Sequence, residues 1–132
     1  MLIARLFLGV ALLATGASAV ARPDDNGRGE AKLAKIIDGR IAGKPVDCVD
    51  LQRIDSTEII DGTAIVYRDG NRLYVNRPRS GRESLDSDDI LSTKAWSTQL
   101  CNIDIVRLID RTSYFPRGSV GLGEFVPYTK HR

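Results

Sequence analysis

Five carboxylates lie in or beside segments with strand character: Asp55, Glu58, Asp104, Asp110 and Glu124. Two such groups held close together, one protonated and one ionised, can hydrolyse a bond without a histidine. Asp104 is the best placed of them, just inside an apolar run and three residues after Cys101. A pairing with an arginine such as Arg107 or Arg68, or a backbone contact, explains it more simply. Histidine chemistry is excluded, because the one histidine, His131, is the penultimate residue. That removes Ser-His-Asp and Cys-His arrangements and histidine-bound zinc, and two cysteines are too few for a structural zinc centre. Phosphate-binding and dinucleotide-binding glycine patterns are absent; Gly121-Leu122-Gly123 lacks the third glycine and the helix. Asp86-Ser87-Asp88-Asp89 opens like a calcium loop, but the sixth and twelfth places hold Leu91 and Ser97 where glycine and glutamate are needed. No metal and no cofactor is expected.

Cys48 and Cys101 carry a different chemistry. A disulfide between them would contribute roughly 4 kcal/mol in the chain-entropy picture. Two separately buried thiols beside Val46, Val49, Leu100 and Ile103 are the alternative, and a nucleophilic cysteine lacks an activating histidine. The arginines supply a third chemistry. Arg77, Arg79 and Arg82 cluster in one loop, with Arg107, Arg111 and Arg117 further on. Guanidinium forks suit carboxylate and phosphate groups, so Arg77, Arg79 and Arg82 are candidate ligand contacts; a solvated basic face is the plainer reading. The tyrosines Tyr67, Tyr74, Tyr114 and Tyr128 accompany them, some turned inward by strand alternation.

The elements that must position these groups follow from periodicity. Glu30 to Arg40 is helical in pattern, with Leu33, Ile36, Ile37 and Ile41 at three- and four-residue spacings and Gly39 as a left-handed cap. Residues 22–29 are polar and read as a flexible lead-in. The clearest β signal is Ser56 to Asn76, where Asp61-Gly62 and Asp69-Gly70 separate β-branched and aromatic runs. With both residues of each pair at positive φ, they predict a meander of strands over 56–60, 63–68 and 71–76. Ala64, Val66 and Arg68 then face one way, and Ile65 and Tyr67 the other. A preceding strand is expected over 46–54. Ser87 reads as a cap for a short helix, or an irregular crossing, over 87–97 that includes Trp96. Asn102 to Asp110 alternates as a strand, with Val106 and Leu108 on one face. Val120 to Tyr128 reads as a last, glycine-interrupted strand, and 129–132 as a tail. The fold class is mainly β: a small antiparallel barrel or sandwich of five to six short strands with one N-terminal helix, forming a single domain over 30–128.

The first 21 residues have the form of an export signal. Arg5 precedes an apolar run from Leu6 to Ala14, and small residues end in Ala17-Ser18-Ala19 and Ala19-Val20-Ala21. Cleavage is expected after Ala19 or Ala21, without a membrane span thereafter. The chain has 19 basic and 17 acidic residues; losing 1–21 removes Arg5 alone among them, leaving 111 residues and a net charge of +1. So slight an excess gives no general pull toward nucleic acid. Export, to the periplasm or beyond, delivers the cysteines where disulfides persist.

Leu100-Cys101-Asn102-Ile103-Asp104 and Leu122-Gly123-Glu124-Phe125-Val126-Pro127 match two motifs, Leu-Cys-x-x-Asp and Leu-Gly-x-Phe-x-Pro. With Cys48 and the Asp-Gly hairpins, the stretch from Cys48 to Pro127 resembles a group of small exported proteobacterial proteins of unknown function. The resemblance implies export and a β-rich domain, and it lends no catalytic residue. Its pattern places further cysteines at Val120 and near Arg82, which implies a second bridge lost as a pair and Cys48–Cys101 retained. The function expected from all this is a non-enzymatic envelope module binding a protein, glycan or lipid. The alternative is a small hydrolase using carboxylates.

Overall fold

The computed structural model describes residues 25–94 and 97–130. The export segment, Trp96 and His131 lie outside the described residues. A helix, α1 (Asp25–Ile37), is followed by β1 (Arg40–Ala42), β2 (Cys48–Asp50), β3 (Ser56–Ile60), β4 (Ala64–Asp69) and β5 (Arg72–Asn76). After a loop come β6 (Ile90–Thr93), β7 (Gln99–Cys101), β8 (Ile105–Ile109), β9 (Pro116–Gly121) and β10 (Phe125–Lys130). Short 3-10 turns occupy Leu51–Arg53 and Arg82–Ser84.

Three antiparallel sheets result, ordered β1-β10-β5-β4-β3, β2-β7 and β6-β8-β9. Alternation along β4 explains the layering, because both of its faces are apolar. Ala64 and Val66 join Ile60, Leu73 and Val75 beneath Leu33, Ile36 and Ile37 of α1. Ile65 and Tyr67 point the other way, into a core with Val49, Leu85, Leu100, Val106, Leu108, Val120, Leu122 and Phe125. The five-stranded sheet is thus covered by a helix on one side and by the smaller sheets on the other, an arrangement consistent with a sandwich. It is not a closed barrel, because β3 and β6 are edge strands with no ladder between them among the described residues.

Several local outcomes differ from the expectations. The helix starts at Asp25, so the supposed lead-in supplies its first turns. Gly29 permits this: it is buried, and an added Cβ would run into the Thr63 side chain and the Asp61 carbonyl. The helix ends at Ile37, Gly39 takes φ 72°, and Ile41 belongs to β1, where it is 52% exposed. Neither Asp-Gly pair has positive φ at both residues. In the first, Gly62 alone is at φ 59°, third in a turn closed by Thr63 N–H to the Ile60 carbonyl at 3.0 Å. In the second, Asp69 is still paired with Arg72, so Gly70 (φ 57°) and Asn71 form the two-residue loop. The strand expected over 46–54 is cut to three residues by the turn at Leu51–Arg53, which Asp50 caps through Gln52 N–H at 2.9 Å. Residues 90–93 form strand β6 instead of a helix, because Leu91 and Thr93 pair with Leu108 and Val106 on β8. The last strand is two: β9 ends at Gly121 and β10 begins at Phe125, running to Lys130 through part of the supposed tail.

The crossing between them is fixed by Asn76, which is fully buried. Its side-chain amide donates to the Gly123 carbonyl at 2.7 Å and its oxygen accepts from Gly123 N–H at 3.0 Å. One donor and one acceptor bond of this buried amide are thus made to a single glycine.

Candidate functional site

The disulfide joins Cys48 to Cys101, directly opposed across β2 and β7. Asp104 belongs to this ribbon. Its Oδ2 accepts from Cys101 N–H at 2.7 Å and its own N–H donates to the Cys101 carbonyl at 3.0 Å, so its contact is with backbone, and no arginine among the described residues pairs with it. Asp55 accepts from Gly70 N–H at 2.8 Å at the far hairpin. Glu58 is shared by Arg68 at 3.2 Å and Lys32 at 3.6 Å on the helix side, and Glu124 lines a shallow groove with Arg79 and Tyr128. Asp104 and Asp55 are thus engaged by backbone amides and Glu58 by two cations.

Two of the three loop arginines share that groove, since Arg77 and Arg79 both line it. Arg77 makes a two-pronged pair with Glu30 of α1, one contact being 3.1 Å. Arg79 borders the groove beside Gly123, and Arg82 sits in the 3-10 turn at 82–84. That turn adjoins β9: Ser80 pairs with Gly121, and a Cβ on Gly81 would lie 3.3 Å from the Val120 Cα. The neighbourhood of Arg82 and position 120 are thus close in space.

The structure assembles another site, at the hairpin tip between β8 and β9. Asp110 folds it. Its Oδ1 accepts from Thr112 N–H and Ser113 N–H, both at 2.8 Å, while its own N–H donates to the Phe115 carbonyl and its carbonyl accepts from Tyr114 N–H, both at 2.9 Å. The two amide bonds, that of Ser113 foremost, hold the Asp110 carboxyl below the usual carboxylate range. The tip presents Tyr114 and Phe115, 73% and 71% exposed. Tyr114 has φ 60°, a left-handed conformation costing a bulky residue about 1–3 kcal/mol and kept only where surrounding bonds dictate it.

Two arginines tie the tip to the turn at 86–89. Arg111 Nε donates to the Asp88 carbonyl at 3.2 Å, and Arg117 Nη1 lies 3.2 Å from Asp89 Oδ1 and 3.5 Å from Asp86 Oδ2. The turn itself is wound by Asp86, which accepts from Asp88 N–H, and by Asp61, which accepts from Ser87 N–H at 2.6 Å. Its Asp-Ser-Asp-Asp composition thus serves turn formation. The Asp89 side chain is 1% exposed, and its Oδ2 has no hydrogen-bond partner among the described residues. Burial, followed by the nearby Asp86 and Asp110 charges, pushes its carboxyl up against the pull of Arg117. Beside this turn a cleft of about 510 Å³ opens toward α1, edged by Arg28, Lys32, Glu83, Asp86 and Arg117. At the far end of β8, Ile105 and, just before the strand, Ile103 are also exposed, at 64% and 83%.

The sequence carried a signal for the tip in an aspartate followed two and three residues later by Thr112 and Ser113, a pattern that favours side-chain to backbone bonding. The stretch reads as a plain connection because the exposure of adjacent aromatics is a three-dimensional property. No family model, no curated protein and no solved structure matches the chain.

Proposed function

We propose that this protein is a non-enzymatic binding module of the cell envelope whose Arg111–Arg117 tip docks a protein partner. One observation carries the reading: Tyr114 and Phe115 are held outward by a hydrogen-bonded loop that places Tyr114 at positive φ to do so. Exposed aromatics cost free energy in water unless something covers them, and tyrosine, phenylalanine and arginine are among the residues enriched at protein interfaces. A preorganised loop loses little entropy on docking. The cystine and the lack, among the described residues, of any helix long and apolar enough to cross a membrane accord with an exported protein. Export, through residues 1–21, belongs to the proposal.

The test compares the purified protein with a Tyr114→Ser/Phe115→Ser variant of unchanged melting temperature, each used to capture proteins from envelope extract under non-reducing conditions. A partner retained about tenfold or more less by the variant is expected, since central aromatic anchors are worth about 2 kcal/mol or more each. Equal retention by both proteins, or none by either, overturns the reading.

A further inference from the structure

The hairpin between β4 and β5 gathers positive charge. Four cations reach it from four separate segments: Arg40 of β1, Arg53 of the 3-10 turn after β2, Arg72 of β5 and Lys130 of β10. The sheet register explains why three of them converge. Arg40 lies opposite Lys130, Ile41 opposite Thr129, and Asp69 opposite Arg72. Tyr128 lies opposite Leu73, which brings Thr129 beside Arg72. A cleft of about 480 Å³ opens there, lined by Arg53, Asp69, Asn71, Arg72, Thr129 and Lys130. Arg40 adjoins it, its Nη1 donating to the Asn71 carbonyl at 2.6 Å.

The chain as a whole is nearly balanced, with 19 basic and 17 acidic residues, so this excess is local. Two carboxylates accompany the four cations. Asp69 lies 3.5 Å from Arg53 Nε, and Asp55 accepts from Gly70 N–H at 2.8 Å. Arg72 Nη1 donates to the Tyr74 hydroxyl at 3.3 Å. The Arg40 and Arg72 guanidinium groups are thus held by neutral oxygens, which orient them without cancelling their charge. The Lys130 ammonium is exposed and joins no ion pair among the described residues. Guanidinium forks bind phosphate oxygens in pairs, and a doubly charged phosphate monoester gains more from several cations than a carboxylate does. Asp69 disfavours bare phosphate but accepts from hydroxyl groups, and Asn71 and Thr129 beside it both donate and accept. Cations on one part of the cleft and hydroxyl-binding groups on another match a sugar that carries phosphate.

We infer that this cleft binds a phosphorylated sugar, its phosphate monoester on Arg40, Arg72 and Lys130 and its hydroxyls on Asp69, Asn71 and Thr129. The inference goes beyond the tip, since Tyr114 and Phe115 have no part in it.

The experiment titrates glucose 6-phosphate, inorganic phosphate and glucose into the purified protein at constant ionic strength, with backbone amides followed by NMR. Glucose 6-phosphate should shift the amides of 69–72 and 129–130 and bind about tenfold more tightly than inorganic phosphate, while glucose alone shifts nothing. Arg72→Gln/Lys130→Gln should weaken the sugar phosphate by about tenfold or more. Lys35→Gln/Lys44→Gln, which removes the same charge elsewhere, should bind like the parent. Asp69→Asn should bring glucose 6-phosphate and inorganic phosphate closer in affinity. The Tyr114→Ser/Phe115→Ser variant should also bind like the parent, so that failure at this cleft and failure at the tip are told apart. No shift at these amides, or equal weakening in the two charge-removing variants, overturns the inference. Equal affinity of the parent for glucose 6-phosphate and inorganic phosphate overturns the assignment of a sugar. A second arm compares vesicles of phosphatidylcholine with phosphatidylinositol phosphate and vesicles of phosphatidylcholine with phosphatidylglycerol. Sedimentation with the first alone supports the inference and makes a lipid head group the source. Sedimentation with neither, alongside binding of glucose 6-phosphate, supports it with a sugar phosphate outside the bilayer. Equal sedimentation with both overturns it in favour of attraction to any anionic surface.

Discussion

Asp89 and Asp110 both feel Arg117, yet they are pushed in opposite directions, and the reason is where each places its oxygens. Asp110 is at the surface with two amides pointing at it; Asp89 is enclosed, with one oxygen unpartnered. The folded protein therefore holds a proton on Asp89 more tightly than the unfolded chain does. Its contribution to stability is best at low pH and falls as pH rises from the ordinary aspartate value toward the raised one. Asp89→Asn should accordingly gain on the parent across that window and run parallel to it above, as read by urea unfolding at a series of pH values. A difference that shrinks with rising pH would mean that Arg117 outweighs burial. Tyr67 shows the same penalty at a neutral group. Burial pushes its phenol up, its ring meets Phe125 edge-on at 5.7 Å, and its hydroxyl finds no partner among the described residues.

Among the elements, α1 owes its place to three apolar residues, and Leu33 is the deepest, at 1% exposure. Leu33→Ala should cost about 2–5 kcal/mol through lost burial and the cavity left under the helix, measured as a fall in the urea midpoint with an unchanged slope. A loss below 1 kcal/mol would show that the helix settles onto the sheet without it. Elements of this kind were legible because their signals are local. Leu33, Ile36 and Ile37 share a helical face, and the alternation in Ala64–Tyr67 between two Asp-Gly pairs leaves little choice but a meander. β6 was not legible: Ser87-Asp88-Asp89 favours a helix start locally, and only pairing with the distant Leu108 and Val106 makes 90–93 a strand. The glycine-bearing stretch before Phe125 misled for a related reason. The contact that divides it into two strands comes from Asn76, far back in the chain. For the candidate site, the cystine was readable from cysteine count and context, whereas the tip depends on which aromatics the fold leaves uncovered.

At the scale of the molecule, the cystine closes a span of 53 residues across the thinnest sheet, two strands of three residues each. So small a ribbon contributes little packing of its own, and the covalent link holds the floor of the larger core, where Val49 and Leu100 meet. Replacing both cysteines by alanine should lower stability by about 2–4 kcal/mol, read by chemical denaturation. The native protein should weigh two protons less than its dithiol form and resist alkylation until reduced; two thiols labelled without reductant would refute the link. The pairing of β1 with β10 bears on timing. Residues 40–42 find their ladder partner in 128–130, almost the whole described chain later. A chain emerging in order from a ribosome or a pore must wait for its far end before the widest sheet can close, and contacts so distant in sequence form slowly. Such a polypeptide is late to commit, and lateness of this kind keeps it threadable for as long as any part of it has still to pass through a narrow channel.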